Sequence, residues 1–323
     1  RLFNYATARR QCGSAIKPIS VYAPALDKGV ITPASVIDDA PVRALGGKAW
    51  PVNSHSYFDG LVSVDEAIAE SLNTCAVRVV EELGVKESYN YMTDKLGFTT
   101  LVSDTDNPKQ NDINSASMGL GGLTRGVSTV EMAAAYAAFV NQGVYNEPRT
   151  YSKVTDQDGK TVIDNTGDSW VAMKETTAYF MNKYLRQVVT SGTGGSAGFS
   201  GMTVAGKTGT TTDNYDRYFV GYTPYYVAAV WTGYEVNVKI NASGNPSAKL
   251  FRQVMSKIHA NLPNKSFFSV DGGLTSVKVC MDCGNLASDL CAQDIRGSRV
   301  KTVEVASGTA PTAGCTCHVA VLR

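Results

Sequence analysis

The sequence lacks most of the features that would assign it by composition alone. It carries 30 Lys and Arg against 29 Asp and Glu, so no field of one sign selects a nucleic acid as partner. No apolar run approaches the ~18 residues that suggest a membrane span. The glycine-rich loop Ser191 to Gly198 has neither the G-x-G-x-x-G spacing after a strand nor the P-loop pattern, which removes the common phosphate cradles and leaves a cleft-side loop. Histidine is scarce, with only His55, His259 and His318 present. None stands beside a motif partner, so a Ser-His-Asp mechanism has no foothold and each reads as a solvated side chain. There is no initiator Met and no signal peptide, and a chain opening Arg1-Leu2-Phe3-Asn4 reads as a fragment of a longer protein.

What is present is the composition of a soluble globular protein, long enough at 323 residues to bury a sizeable core in one large domain with a small one appended. Cysteine is unevenly placed. Cys12 and Cys75 lie far apart, whereas Cys280, Cys283, Cys291, Cys315 and Cys317 crowd the end. Two explanations compete there: a disulfide-stapled module, and a zinc site using Cys280-x-x-Cys283 with Cys315, Cys317 or His318. The spacing is not a clean pair of C-x-x-C knuckles, which favours disulfides.

Residues 27 to 62 are rich in Gly, Pro, Asn and Asp and read as a long irregular excursion. Ser63-Val64-Asp65-Glu66 is a capping-box pattern before one helix, and a second helical run from Ala76 to Leu83 stops at Gly84. Ser71 and Asn73 therefore fall at a break between two helices, where both short polar side chains can turn toward one site. Ser128 to Glu131 caps an Ala-rich helix, and Thr176 to Val189 predicts another. The pattern then turns to strand. Met202 to Thr212 and Tyr218 to Tyr222 form a hairpin, Tyr225 to Trp231 adds a third strand, and Ala248 to Ala260 closes with a helix. Strands this closely spaced imply an antiparallel sheet flanked by helices, an α/β chain of the α+β type. The main domain is expected over 1–264 and a Cys-rich extension over 265–323. Trp50, Tyr57, Tyr215 and Tyr218 read as core or rim packing.

Three short motifs carry chemistry. Ser14 and Lys17 are one helical turn apart, so the amine can reach the hydroxyl, with Gly13 permitting a tight entry into the helix. Ser71-x-Asn73 and Lys207-Thr208-Gly209-Thr210 follow in chain order. Together they match the set S-x-x-K, S-x-N and K-T-G of penicillin-binding proteins and related serine β-lactamases. The flanking runs Phe3-Asn4-Tyr5-Ala6-Thr7, Ser71 to Arg78, Ala205 to Thr211 and Phe219 to Pro224 extend the likeness over nearly the whole chain. It resembles the transpeptidase domain of class A, bifunctional penicillin-binding proteins, truncated at its N-terminus. Even the tail, with Cys280, Cys291, Gly308-Thr309, Pro311-Thr312 and Cys315, is similar to an extension of some members.

The resemblance implies a serine D,D-transpeptidase that cross-links peptidoglycan stem peptides and is acylated by β-lactams. Ser14 would be the nucleophile, Lys17 the base, Ser71 the proton shuttle and Asn73 the residue orienting Lys17 and substrate. Lys207 would supply positive charge, Thr208 and Thr210 would bind the substrate carboxylate, Gly209 would keep the strand open, and the Ser14 and Thr210 N–H groups would form the oxyanion hole. No cofactor or catalytic metal is implied. The partners would be D-Ala-D-Ala donors, amine acceptors and β-lactams, not nucleic acid. The parent is expected to be membrane-anchored, with a glycosyltransferase domain, on the extracytoplasmic face of the bacterial membrane. With 13 residues before Ser14, the family's first strands would lie outside this chain. Cys12 replaces a usual proline and reads as an inert buried thiol. Rival readings are a D,D-carboxypeptidase, a β-lactamase, which would need a glutamate that no motif supplies, and a penicillin-binding sensor or scaffold without turnover.

Overall fold

The computed structural model describes residues 3–104 and 107–319. Helix α1 is built in three pitches, a 3-10 turn Gly13–Ile16, a π-turn Pro18–Tyr22 and an α-helical end Ala23–Asp27. Pro18 and Pro24 each remove a backbone donor, and the changes of pitch fall beside them. Ala15, Ile16, Ile19, Val21, Tyr22 and Ala23 are fully buried, so this helix runs through the core rather than over it.

The excursion after α1 is more ordered than its composition predicts. It contains β1 (Val36–Asp39), β2 (Arg43–Leu45), β3 (Lys48–Trp50) and β4 (Gly60–Ser63). β1 pairs antiparallel with β4, and β2 with β3. Strands of three or four residues are too short for alternation to register in sequence, and their pairing is set by neighbours in space.

The capping expectations hold. Ser63 N–H donates to Glu66 Oε2 at 3.0 Å and opens α2 (Val64–Ala69). Ser71 then takes φ 61, a left-handed backbone that breaks the run before α3 (Asn73–Leu83), which stops at Gly84 with φ 91. The short α4 (Val85–Asn90) and α5 (Ser115–Leu120) lead to α6 (Thr129–Val140), opened by the Ser128/Glu131 capping box. Two small strand pairs, β5 (Val144–Asn146) with β8 (Ser169–Val171) and β6 (Lys153–Thr155) with β7 (Thr161–Asp164), precede α7 (Glu175–Thr190).

The central sheet has the order β11-β10-β9, all antiparallel: β9 (Ala205–Thr210), β10 (Asp216–Tyr222) and β11 (Val227–Gly233). β10 is buried on both faces. Tyr218, Val220 and Tyr222 enter the main core with α1, α3, α6 and α7, while Phe219 joins Phe251 and Met255 of α8 (Pro246–Ile258). Tyr222 O–H donates to Asn182 Oδ1 and Asn182 Nδ2 to the Phe139 carbonyl, at 2.8 and 2.9 Å, so these two polar side chains inside the core are partnered. The tail forms a separate hairpin-like pair, β12 (Leu274–Cys280) with β13 (Val300–Ala306), and a short α9 (Asp289–Ala292) between them.

Two histidine expectations fail. His259 is only 5% exposed and is bonded to Thr223 Oγ1 and the Met255 carbonyl, because the last turn of α8 folds under the β10–β11 connection. His318 lies among the tail cysteines. All seven cysteines carry free thiols, so the favoured disulfide staple is not what the structure contains. Cys12 is fully buried and burial raises its thiol pKa to about 12, as an inert thiol requires. Tyr218 is core, and Tyr57 lies exposed on the surface.

Candidate active site

The segment before Ser14 is tied to the body at Arg10, whose N–H and C=O pair with Val127 at 3.0 and 2.9 Å. The Arg10 guanidinium meets Asp216 at 2.8 Å, and Asp216 also accepts from Trp231 Nε1 at 2.8 Å. Gly13 follows with φ 53, and a Cβ placed there would lie 2.4 Å from the Thr210 carbonyl oxygen. Gly209 is equally constrained, since its Cβ would stand 2.0 Å from the Cys12 carbonyl oxygen. The two glycines let the start of α1 and the end of β9 approach backbone to backbone. Ser14 and Thr210 are thereby adjacent on one cleft.

That cleft has a volume of about 530 Å³, and its walls include Ser14, Ser71, Asn73, Thr193, Thr208 and Thr210. The three motifs separated in sequence therefore converge. Lys17 Nζ donates to the Ser71 carbonyl at 2.7 Å, to the Leu72 carbonyl at 3.3 Å and to Asn73 Oδ1 at 2.6 Å. The break between α2 and α3 thus presents three acceptors to one amine. The hydrogen bonds of the Lys17 amine run to this break rather than to Ser14 Oγ. Full burial, and then the charge of Lys207, hold the Lys17 pKa well below that of a free lysine.

Lys207 is the complement of Lys17. It is fully buried, and its Nζ has no hydrogen-bond partner among the described residues. Burial lowers its pKa to about 7, against a smaller opposing effect of Glu70. On β9 it pairs with Val220, while Thr208 and Thr210, two and four positions from the adjacent Gly206, point their hydroxyls into the cleft. Thr208 Oγ1 lies 3.1 Å from Thr193 Oγ1, and Thr210 Oγ1 accepts from Arg217 Nη1 at 3.1 Å.

Several participants have no motif of their own. Asn53 sits in the excursion, where its Oδ1 accepts from Asn73 N–H at 2.7 Å and its Nδ2 donates to Asp39 at 2.7 and 3.0 Å. Asp39 is fully buried and also accepts from Asp59 N–H and the Thr74 hydroxyl. A relay of Asp39, Asn53 and Asn73 therefore ends on Lys17. Arg217 and Thr193 line the same cleft beside Thr210 and Thr208. Position on a cleft-side loop hinted at Thr193; nothing in the sequence pointed to Asp39, Asn53 or Arg217.

Comparison with known proteins agrees with this geometry. The model of the penicillin-binding protein transpeptidase domain matches residues 2–256, and that of the penicillin-binding protein 1A C-terminal domain matches 270–320. Penicillin-binding protein 1A of Clostridium perfringens is 34% identical over 96% of this chain and 38% of its own length. Penicillin-binding protein 1F of Bacillus subtilis is 32% identical over 79% of this chain and 35% of its own. The chain thus spans well under half the length of these curated relatives. Among solved structures, penicillin-binding protein 1A of Haemophilus influenzae superposes with a TM-score of 0.74 at 22% identity, over 97% of this chain and 50% of that one. The PonA1 protein of Mycobacterium tuberculosis, in complex with penicillin V, gives 0.68 at 23% over 84% and 75%. The extent of the sequence match, carried over a fold that assembles all three motifs in one cleft, means that this chain belongs to the penicillin-binding protein transpeptidase family, of the penicillin-binding protein 1A kind.

Proposed function

We propose that this chain is a serine D,D-transpeptidase unit that joins peptidoglycan stem peptides through an ester on Ser14. The observation that carries it is the pair of buried lysines, one facing three acceptors and the other facing none among the described residues. Lys17, whose charged form is disfavoured by burial and by Lys207, takes the Ser14 proton as Oγ attacks the carbonyl between two terminal D-alanines. The ammonium so formed meets acceptors already set at 2.6 to 3.3 Å, so its charge is stabilised as it appears. The tetrahedral oxyanion is held by the Ser14 and Thr210 N–H groups. Ser71 passes the proton on to the departing amine, the C–N bond breaks and D-alanine leaves. An acceptor amine then attacks the ester, returns a proton to Ser14 through Lys17 and leaves as the new amide.

Lys207 has the opposite task. Buried behind the cleft wall, it supplies positive charge, while Thr208, Thr210 and Arg217 receive the terminal carboxylate of the donor peptide or of a β-lactam. No carboxylate side chain is among the described residues that wall the cleft, which supports aminolysis over a glutamate-driven hydrolysis. Residues 1–264 would hold this activity and 265–323 the extension. The parent protein would be membrane-anchored, with a glycosyltransferase domain, on the extracytoplasmic face. No helix of the described residues is long and apolar enough to cross a membrane. Intact-protein mass spectrometry with benzylpenicillin tests the acyl-enzyme: one adduct is expected, absent in Ser14→Ala. Turnover is tested with a stem peptide and a supplied amine. Product without the new amide excludes transpeptidation, and a stable adduct with no turnover selects the sensor reading.

A further inference from the structure

The tail brings together side chains that the acyl transfer does not use. Sγ of Cys280, Cys291 and Cys315 and Nδ1 of His318 all lie within 4.8 Å of one another. They come from the end of β12, from α9 and from the chain beyond β13, so the convergence is tertiary. The bonds that build it are named on the backbone: Arg299 N–H donates to the Cys291 carbonyl at 2.8 Å, and Cys315 N–H to the Leu286 carbonyl at 2.8 Å. We propose that these four residues form a closed, structural zinc site.

The distances fit the metal. Tetrahedral zinc, with Zn–S near 2.3 Å and Zn–N near 2.0–2.1 Å, sets its sulfur and nitrogen ligands about 3.6 Å apart. His318 Nδ1 stands 3.6 Å from Cys280 Sγ and 3.4 Å from Cys315 Sγ. The sulfurs are also placed to be thiolates. Asp282 N–H donates to Cys280 Sγ at 3.3 Å, Ser288 N–H to Cys291 Sγ at 3.3 Å, and Ser288 Oγ lies 3.4 Å from the latter. Cys280 and Cys291 are fully buried, a costly location for thiolates that a divalent cation offsets.

The other face of the histidine completes the pattern. Nε2 of His318 is at ion-pair distance from two carboxylates, 3.0 Å from Asp294 and 3.2 Å from Asp282, without an aligned hydrogen bond to either. A metal-bound imidazole is commonly oriented in this way by a carboxylate on its far nitrogen. Those carboxylates are in turn held by Arg296 and Arg299, at 2.5 to 2.8 Å, which marks them as outer partners rather than ligands. The rival group of Cys283, Cys315 and Cys317 offers three sulfurs and no fourth ligand among the described residues. Four protein ligands leave no open position, so the site is structural and not catalytic. It also answers a need. The tail contributes only Val279 and Val305 to a small buried apolar cluster completed by Ala34 of the main domain, too little to hold a module of this size without a staple. Binding releases the three thiol protons and forms three Zn–S bonds and one Zn–N bond, with no redox step.

The test uses the whole chain, reduced, stripped with chelator and titrated with Co²⁺ and then Zn²⁺. The expected result is one equivalent of tetrahedral cobalt with sulfur-to-metal charge-transfer absorption, displaced by one equivalent of zinc. Cys291→Ser and His318→Ala each weaken binding at least about 100-fold, and Asp294→Ala weakens it about 10–100-fold. The double variant Cys283→Ser with Cys317→Ser keeps wild-type affinity. Penicillin labelling of Ser14 in every variant verifies that the main domain is folded. No tetrahedral spectrum from the reduced chain overturns the proposal. So does loss of binding in the double variant as complete as in Cys291→Ser, or disulfides joining Cys280, Cys291 or Cys315 in protein prepared without reductant.

Discussion

The acyl-transfer cleft and the cysteine tail both gather side chains from distant parts of the chain, but they hold them by different means. The cleft is embedded in the large core. Its lysines are fully buried, its backbone segments meet at Gly13 and Gly209, and its positions are fixed by packing. The tail supplies two residues, Val279 and Val305, to a small apolar cluster shared with Ala34 and is fixed by polar atoms instead: Lys301 to Asp65 at 2.7 Å, Glu304 to Lys183 at 2.5 Å, and the converging thiols with His318. A large core can enforce an unfavourable electrostatic arrangement, such as two neighbouring buried lysines. A small module has no such reserve, and its polar groups must attract one another.

Substitutions in each region should act on that region alone, most strongly at the nucleophile. Ser14→Ala should lower acylation by β-lactam about 10,000-fold or more, read as loss of the covalent adduct, while metal content stays at wild-type level. Gly13→Ala should cost acylation about 100-fold, since a displacement of about 1 Å between nucleophile and oxyanion donors is enough. The new methyl cannot be accommodated 2.4 Å from Thr210 O at φ 53. Stopped-flow acylation checks this, and an unchanged rate would mean that the close approach of α1 and β9 is dispensable.

Asn53→Ala should destabilise the chain by about 2–3 kcal/mol, because it leaves Asp39 and Asn73 N–H short of buried partners. It should also slow acylation more than it weakens initial binding, as Asn53 acts through Asn73 on Lys17. Denaturant melts with acylation kinetics separate the two effects, and a melt without a kinetic change would leave Asn53 purely structural.

The pH dependence sharpens the contrast between the two lysines. Lys207 titrates near 7 in the folded chain and near 10.5 as a free side chain. Across that window the unfolded chain binds the extra proton, so its contribution to stability rises with pH and is lost as pH falls toward 7. Lys17 is depressed in the same direction and adds the same sign. For acylation, the free-enzyme profile with a carboxylate-bearing β-lactam should rise as Lys17 loses its proton and fall as Lys207 loses its own above about 7. A profile flat through neutrality in kcat/KM would remove Lys207 as the source of positive charge for the carboxylate. The smallest effect is expected from the tail: chelator with reductant should loosen β12 and β13, read by hydrogen exchange, yet change acylation by less than about twofold, the additivity seen for independent sites.

The two regions also differ in how much of them the sequence discloses. The identity and order of Ser14, Lys17, Ser71, Asn73, Lys207, Thr208 and Thr210 are legible because each motif is local, spanning one helical turn, one helix break or one strand. So are the helices begun by Ser63 and Ser128, because a capping box is a contact between residues three apart. The β9–β10 hairpin is legible in its alternation, for the same reason.

The contacts that depend on folding join partners far apart in the chain. Local pattern cannot show that Lys17 meets three acceptors at residues 71–73, that Asn53 and Asp39 stand behind Asn73, or that Arg217 reaches Thr210. It cannot show that His259 is buried, or that three thiols and His318 converge while none is bridged. The sequence determined which groups are available and on what local scaffold each is carried. The packed core determined which of them face one another and how far each is removed from water, and those two quantities set the proton affinity of both lysines.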